Sequence, residues 1–382
     1  MGNINFLREL LEFKKRRKPH MTQDMITKFD GIIQNESIAA IVIRQYLKPV
    51  EGDHAVIFPP TYAGIGYNFN TFDQGGEIKN IYTIDSVGSQ ANRMEPLFKR
   101  PPYCNLVPRI KIEIRKTISK GQEKGELIDE IDLIDAGHRI ADAVVRFSNG
   151  TDEISSAFQK VGKDATSMAK LAPTSLVFGC WDSRGSSVKL PRIIRSTIMA
   201  HNVYELKRSA QYIPATERYE EAFDKINDKE RKKFADAGMG HVPSTGNPGG
   251  VLLGSNSNVL KDVVLSLTAL RALRADDNGD NTLKLRRYIF GLSLVAMTAP
   301  QEPLLRMGCE LTSDPDRPLK MEKVNCDGNR DPFGFSHDDA LKFAEAAAND
   351  FEVGESKTFT FDAKKANDEL KKLTAKGKKG EK

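Results

Sequence analysis

The chain has 382 residues, 39% hydrophobic and 29% charged, normal values for a globular protein with a sizeable core. No run approaches the roughly 18 apolar residues of a membrane span, and Met1–Leu11 has no leader-like apolar segment, so a cytoplasmic protein is expected. The net charge of +5 is a mild basic excess that permits a nucleic-acid partner without requiring one. Much of it sits in Lys14–Lys18 and in the tail from Lys376 to Lys382, and such terminal runs are ordinarily solvated. Cys104, Cys180, Cys309 and Cys326 lie too far apart in sequence to form the close pairs of a structural zinc site, so free thiols and no metal are expected.

After an N-terminal arm (1–35), the apolar segment Ile38–Leu47 reads as a helix ended by Pro49, and His54–Phe58 as a short strand stopped by Pro59 and Pro60. A glycine and aromatic loop, Tyr62 to Phe69, leads through Ile81–Ile84 into a helix starting at Asp85. Pro108–Arg115 and Glu126–Leu133 alternate as strands, and the Gly121–Gly125 connection makes them a long hairpin. A helix over Asp135–Phe147 and a buried strand over Ser175–Trp181 follow. Ile193–Leu206 fits a strand or a helix. Residues 214–240 are charged and helix-prone, and the glycine and proline stretch 243–250 reads as flexible, so 214–250 is taken as an inserted finger. Helical patterning is read over Asn258–Leu273 and Leu283–Met297, and again from Ser336, where Asp338 and Asp339 suit a first turn. The basic tail 366–382 is expected to be disordered. Strands and helices alternate without regular crossovers, so the class is α+β.

Three segments could carry chemistry. On a helix from Asp85, Val87, Ala91, Met94 and Phe98 form the packing stripe, while Ser86, Gln90 and Arg93 share a polar face suited to phosphates and sugar hydroxyls. The plain alternative is a half-exposed helix with a wet side. In the second segment, Asp135, His138 and Asp142 recur at helical spacing and could hold a divalent metal, although salt bridges to Arg139 and Arg146 explain the pattern better. In the third, Trp181 ends an apolar run before Arg184, Lys189, Arg192 and Arg195. Cations beside an aromatic suit single-stranded nucleic acid, while Trp181 itself is expected in the core. No P-loop, nucleophile elbow or His-Glu-x-x-His signature is present, so no catalytic residue, metal or cofactor is assigned.

These segments, with Pro59–Ala63, the stretch Asp85–Glu95, Asp135–Ala143, Phe178–Ser183 and Leu190–Ser196, resemble the CRISPR-associated RAMP superfamily, in particular the Csb-type backbone subunit of the type I-G (formerly I-U) interference complex. The blocks occur in the expected order over the first half of the chain. The resemblance implies a modified RNA-recognition-motif (ferredoxin-like) palm over 36–213 and 251–365, a thumb hairpin near 108–133, and the finger at 214–250. It implies a non-enzymatic subunit, copies of which stack head to tail on the CRISPR guide RNA, beside other subunits of the complex, and present bases to target DNA. The expected RNA-binding residues are Tyr62, Ser86, Ser89, Gln90, Arg93, Arg139, Arg184, Lys189, Arg192 and Arg195. The alternative is a metal-dependent ribonuclease of the same superfamily, using Asp73, Asp85 or the Asp135, His138 and Asp142 face.

Overall fold

The computed structural model describes residues 25–116, 125–216, 218–223 and 227–377. The start of the N-terminal arm, the 117–124 part of the hairpin connection, segments of the finger and residues 378–382 lie outside the described residues.

The chain opens with a helix α1 (residues 25–34), then β1 (Ile38–Pro49), the short β2 (Val56–Ile57), β3 (Thr61–Tyr62) and β4 (Gly66–Tyr67), and the hairpin of β5 (Phe69–Gln74) and β6 (Glu77–Asp85). Helix α2 (Val87–Met94) leads to β7 (Ile110–Arg115) and β8 (Leu127–Asp132), then to α3 (Ala143–Arg146), α4 (Thr151–Lys160), α5 (Thr166–Leu171) and α6 (Pro173–Phe178). A second β-rich stretch comprises β9 (Cys180–Trp181), β10 (Lys189–Leu190), β11 (Ile194–His201) and β12 (Tyr204–Tyr212). The single turn α7 (Asp228–Arg231) precedes β13 (Val242–Leu252) and β14 (Asn258–Ser266). Helices α8 (Leu267–Arg271) and α9 (Gly279–Thr298), strands β15 (Leu304–Arg306), β16 (Cys309–Ser313), β17 (Lys320–Asn325) and β18 (Arg330–Pro332), helix α10 (His337–Phe351), β19 (Lys357–Thr360) and α11 (Ala363–Gly377) complete it.

The architecture is α+β around one large sheet, in which β1, β14, β11, β6 and β5 lie side by side and every pairing is antiparallel. The far edge of β1 is shared, Leu47–Pro49 pairing with β16 and Ile38–Arg44 with β17. Counted by chain order among themselves, β17, β1, β14 and β11 run 4-1-3-2.

One face of this sheet is covered by helices. Helix α9 is buried on all sides from Tyr288 to Met297 because it is enclosed, with α10 packed against it. Gly291 permits the close approach: a Cβ there would meet the Ala344 Cα at 2.9 Å. Helix α1 belongs to this core and is no arm. Phe29 is fully buried with its ring edge-on to Phe290 and Phe343, and Asp30 receives Arg287 Nε and Nη2 at 2.7 and 2.6 Å.

Several expectations are corrected. Ile38–Leu47 is a strand, because its branched residues Ile41 and Ile43 alternate into the core, a period of two. The same period holds for Val259, Lys261, Val263 and Leu265 on β14, so only α8, capped by Ser266, is helical there. Ser175–Phe178 lies in helix α6, which Pro173 opens. Asp135–Phe147 is not one helix: Arg139 takes a left-handed φ of 53° and Asp142 is extended before capping α3. The glycine and proline stretch 243–250 lies in β13, paired with β12 through two register shifts that absorb its irregular residues. The tail is helical to Gly377.

Candidate nucleic-acid interface

Gly179 organises a strongly cationic concavity. Its φ of +72° ends α6 and swings the chain into β9, and a Cβ there would meet Arg192 Cγ and the Leu190 carbonyl at 2.9 Å. The β9 and β10 hairpin puts Trp181 opposite Lys189. Asp182 rigidifies its turn, accepting from the Ser186 backbone N–H at 2.6 Å and the Ser186 hydroxyl at 2.8 Å.

Between this hairpin and the 137–146 segment lies a groove of about 640 Å³, lined by Arg139, Arg146, Arg184, Lys189 and Arg192, with His138 and Trp181. Among the described residues no carboxylate lines it. Trp181 is 60% exposed and Lys189 Nζ lies 5.8 Å from its ring, the geometry of a cation over an aromatic face. Arg192 donates Nη1 to the Phe178 carbonyl at 2.9 Å. Burial, then the like charge of Arg139, lowers the Arg192 pKa, as expected where cations crowd.

Arg139 forms the floor. It is buried, donating Nε to Glu95 Oε2 at 2.6 Å and Nη1 to the Gly179 carbonyl at 3.2 Å, with its guanidinium 5.5 Å from the Phe178 ring centre. Its Nη2 is buried without a hydrogen bond. Burial raises the Glu95 pKa against the opposing pull of Arg139.

The polar face of α2 is not open to solvent. Asp85, fully buried, accepts from Ser89 Oγ and Gln90 Nε2 at 2.7 Å, Arg93 Nε at 2.9 Å and Arg306 Nη2 at 3.1 Å. Gln90 also accepts from Ser196 Oγ at 2.9 Å, and Ser86 caps the helix by accepting from the Ser89 N–H. The direct RNA contact expected at Gln90 is therefore corrected: it is fully buried and ties α2 to β11 through Ser196, while the half-buried Ser86 and Ser89 are bonded at the start of α2. Arg93 is partly exposed but committed to Asp85 and, through Nη2, to the Leu305 carbonyl. Asp85 is equally unfit as a metal ligand, its oxygens being taken by four donors.

The structure thus gathers Arg139, Arg184, Lys189 and Arg192 into one groove and separates the rest. Arg139 is corrected from a surface contact to a buried floor. Arg195 lies on β11, exposed on the face turned away from the core, and Tyr62 is exposed on the small β3 and β4 hairpin. Asp135 pairs with Lys99, Asp142 caps Val144, and Asp73 caps its own turn at Gly76, so the helical metal face does not exist. Two groove residues were missed. Trp181 was expected in the core, but Gly179 breaks the apolar run before it. Arg146 was read as a salt-bridge partner, yet it stacks over Phe147 at 4.4 Å.

Comparison with known proteins bears on this segment. No curated protein matches the chain. The crystal structure of Csc2 from Thermofilum pendens aligns over 89% of this chain and 76% of its own, at 11% identity and a TM-score of 0.26, too low to equate the folds. Residues 41–205 match the model of the family described as CRISPR-associated protein GSU0053, and that span holds most of β1, all of α2 and every residue of the groove.

Proposed function

We propose that the chain is an RNA-binding backbone subunit of a CRISPR interference complex. Copies would stack head to tail along the guide RNA in the cytoplasm, beside other subunits, and leave the bases free to pair with target DNA. The observation that carries the reading is the groove: five cations, an exposed tryptophan and no lining carboxylate, within a segment matching a CRISPR-associated family. Phosphates need cations and bases need a stacking face, and neither demands a particular base. The 4-1-3-2 strand order supports the ferredoxin-like palm, and the β7 and β8 hairpin supports the thumb. We read the subunit as holding RNA and not cutting it, since the expected acids are engaged with internal partners.

Trp181 is the chain's single tryptophan, so its fluorescence reports this groove alone. Single-stranded RNAs of equal length and unrelated sequence should quench it with similar affinities. Arg192→Ala and Lys189→Ala should each weaken binding to all of them and shallow the salt dependence by about 0.7 per lost phosphate contact. Unquenched emission, or affinities that track sequence, would overturn the assignment. RNA shortened only in the presence of a divalent metal would instead favour the nuclease.

A further inference from the structure

The core-facing rows of the central strands are apolar except at two adjoining levels, that of Gln45 and Lys261 and, on β11, that of Ser196 opposite Val263. On β1 the row reads Ile43, Gln45, Leu47; on β14 it reads Val263, Lys261, Val259; on β11 it reads Ile194, Ser196, Ile198. Gln45, Lys261 and Ile198 lie directly opposite one another, and Asp85 lies opposite Ile198. The residues on the two sides of this level belong to two separate hydrophobic clusters. A polar seam therefore crosses the sheet between two cores.

Every other polar side chain of the seam is satisfied. Gln45 donates to Ser313 Oγ at 2.6 Å, and Ser196 joins Gln90 and Asp85. Lys261 is the exception. It is 8% exposed and makes no hydrogen bond or ion pair with the described residues. A buried cation without a partner is costly, and a folded chain ordinarily avoids one.

Lys261 lines a cavity of about 400 Å³ beneath the 299–303 turn. Its walls join the apolar Ile43, Ile198, Met297 and Leu311 to polar groups from Gln45, Thr298, Gln301, Thr312, Ser313 and His337. The carboxylate among the lining residues, Glu302, is on the rim, largely exposed and 3.6 Å from Arg100. Apolar walls with convergent polar groups are the composition of a small-molecule site, and the volume falls in that range.

We propose that this cavity binds a small organic carboxylate, its charge on Lys261 and its apolar stem against Ile43, Ile198, Met297 and Leu311. One cation among apolar walls suits a monoanion on a hydrocarbon; a phosphate dianion would require more donors. The site is separate from the cationic groove and stands whether or not that groove holds RNA.

The test is calorimetric titration of the full chain with hexanoate, 1-hexanol and inorganic phosphate. Hexanoate should bind, with 1-hexanol and phosphate at least about tenfold weaker, the scale of a lost charge-assisted hydrogen bond. Lys261→Met keeps the stem, removes the charge and should weaken hexanoate by a similar factor while retaining the Trp181 response to RNA. Hexanoate no tighter than 1-hexanol on the wild-type chain would overturn the proposal without appeal to any variant. So would phosphate binding as tightly as hexanoate, or undiminished hexanoate binding by a folded Lys261→Met protein.

Discussion

Two buried cations in this molecule meet opposite fates. Arg139 has a carboxylate, a carbonyl and an aromatic face around it, and its planar guanidinium uses each. Lys261 has none of these, and burial pushes its ammonium down to about 8. The unfolded chain would hold that proton up to about 10.5, so between about 8 and 10.5 folding releases it and native stability rises with pH. Below 8 both states are protonated and the buried charge is a constant cost. Lys261→Met abolishes the dependence, and burial lowers the imidazole of His337, which also lines the cavity, further below this window. The difference in melting temperature between wild type and Lys261→Met should therefore shift in favour of wild type from pH 8 to 10. A constant difference would show that Lys261 is solvated or paired in solution.

At the scale of elements, Gly179 decides how the groove is built. Replacing it with Ala puts a Cβ against the Leu190 carbonyl in a left-handed conformation, which costs about 1–2 kcal/mol in backbone strain alone. Gly179→Ala should lower the melting temperature and weaken the RNA quenching of Trp181 together, because the same turn leads into β9 and so places Trp181 in the groove. An unchanged affinity with lowered stability would separate the groove from that turn. The β7 and β8 hairpin and the helices α9 and α10 were legible in the sequence, since each has a clean period or a cap such as Ser336. Strands β1 and β14 were not: their alternation is hidden by apolar residues on both faces, where the outward Val42 and Val264 blur period two into a continuous run. The cations of the groove could be read from the third segment, but their union with Arg139 and Arg146 could not. It depends on a left-handed Arg139 and on a helix-breaking Gly179, long-range geometry that no local spacing reports.

For the molecule as a whole, the seam of Gln45, Lys261 and Ser196 has a further effect. Strands β1, β11 and β14 are continuous, yet one end of each rests on the cluster around α9 and α10 and the other on the smaller cluster with Tyr82, Val251 and Leu311. Polar groups along a boundary weaken the packing that couples two regions, so the halves can open with different free energies. Amide hydrogen exchange along β14 should then be slower at Val263 and Leu265 than at Val259, although all belong to one unbroken ladder. Uniform protection would make the sheet one cooperative unit. Stepwise protection would divide a single strand between two unfolding units, with the small end free to breathe while the large end stays shut.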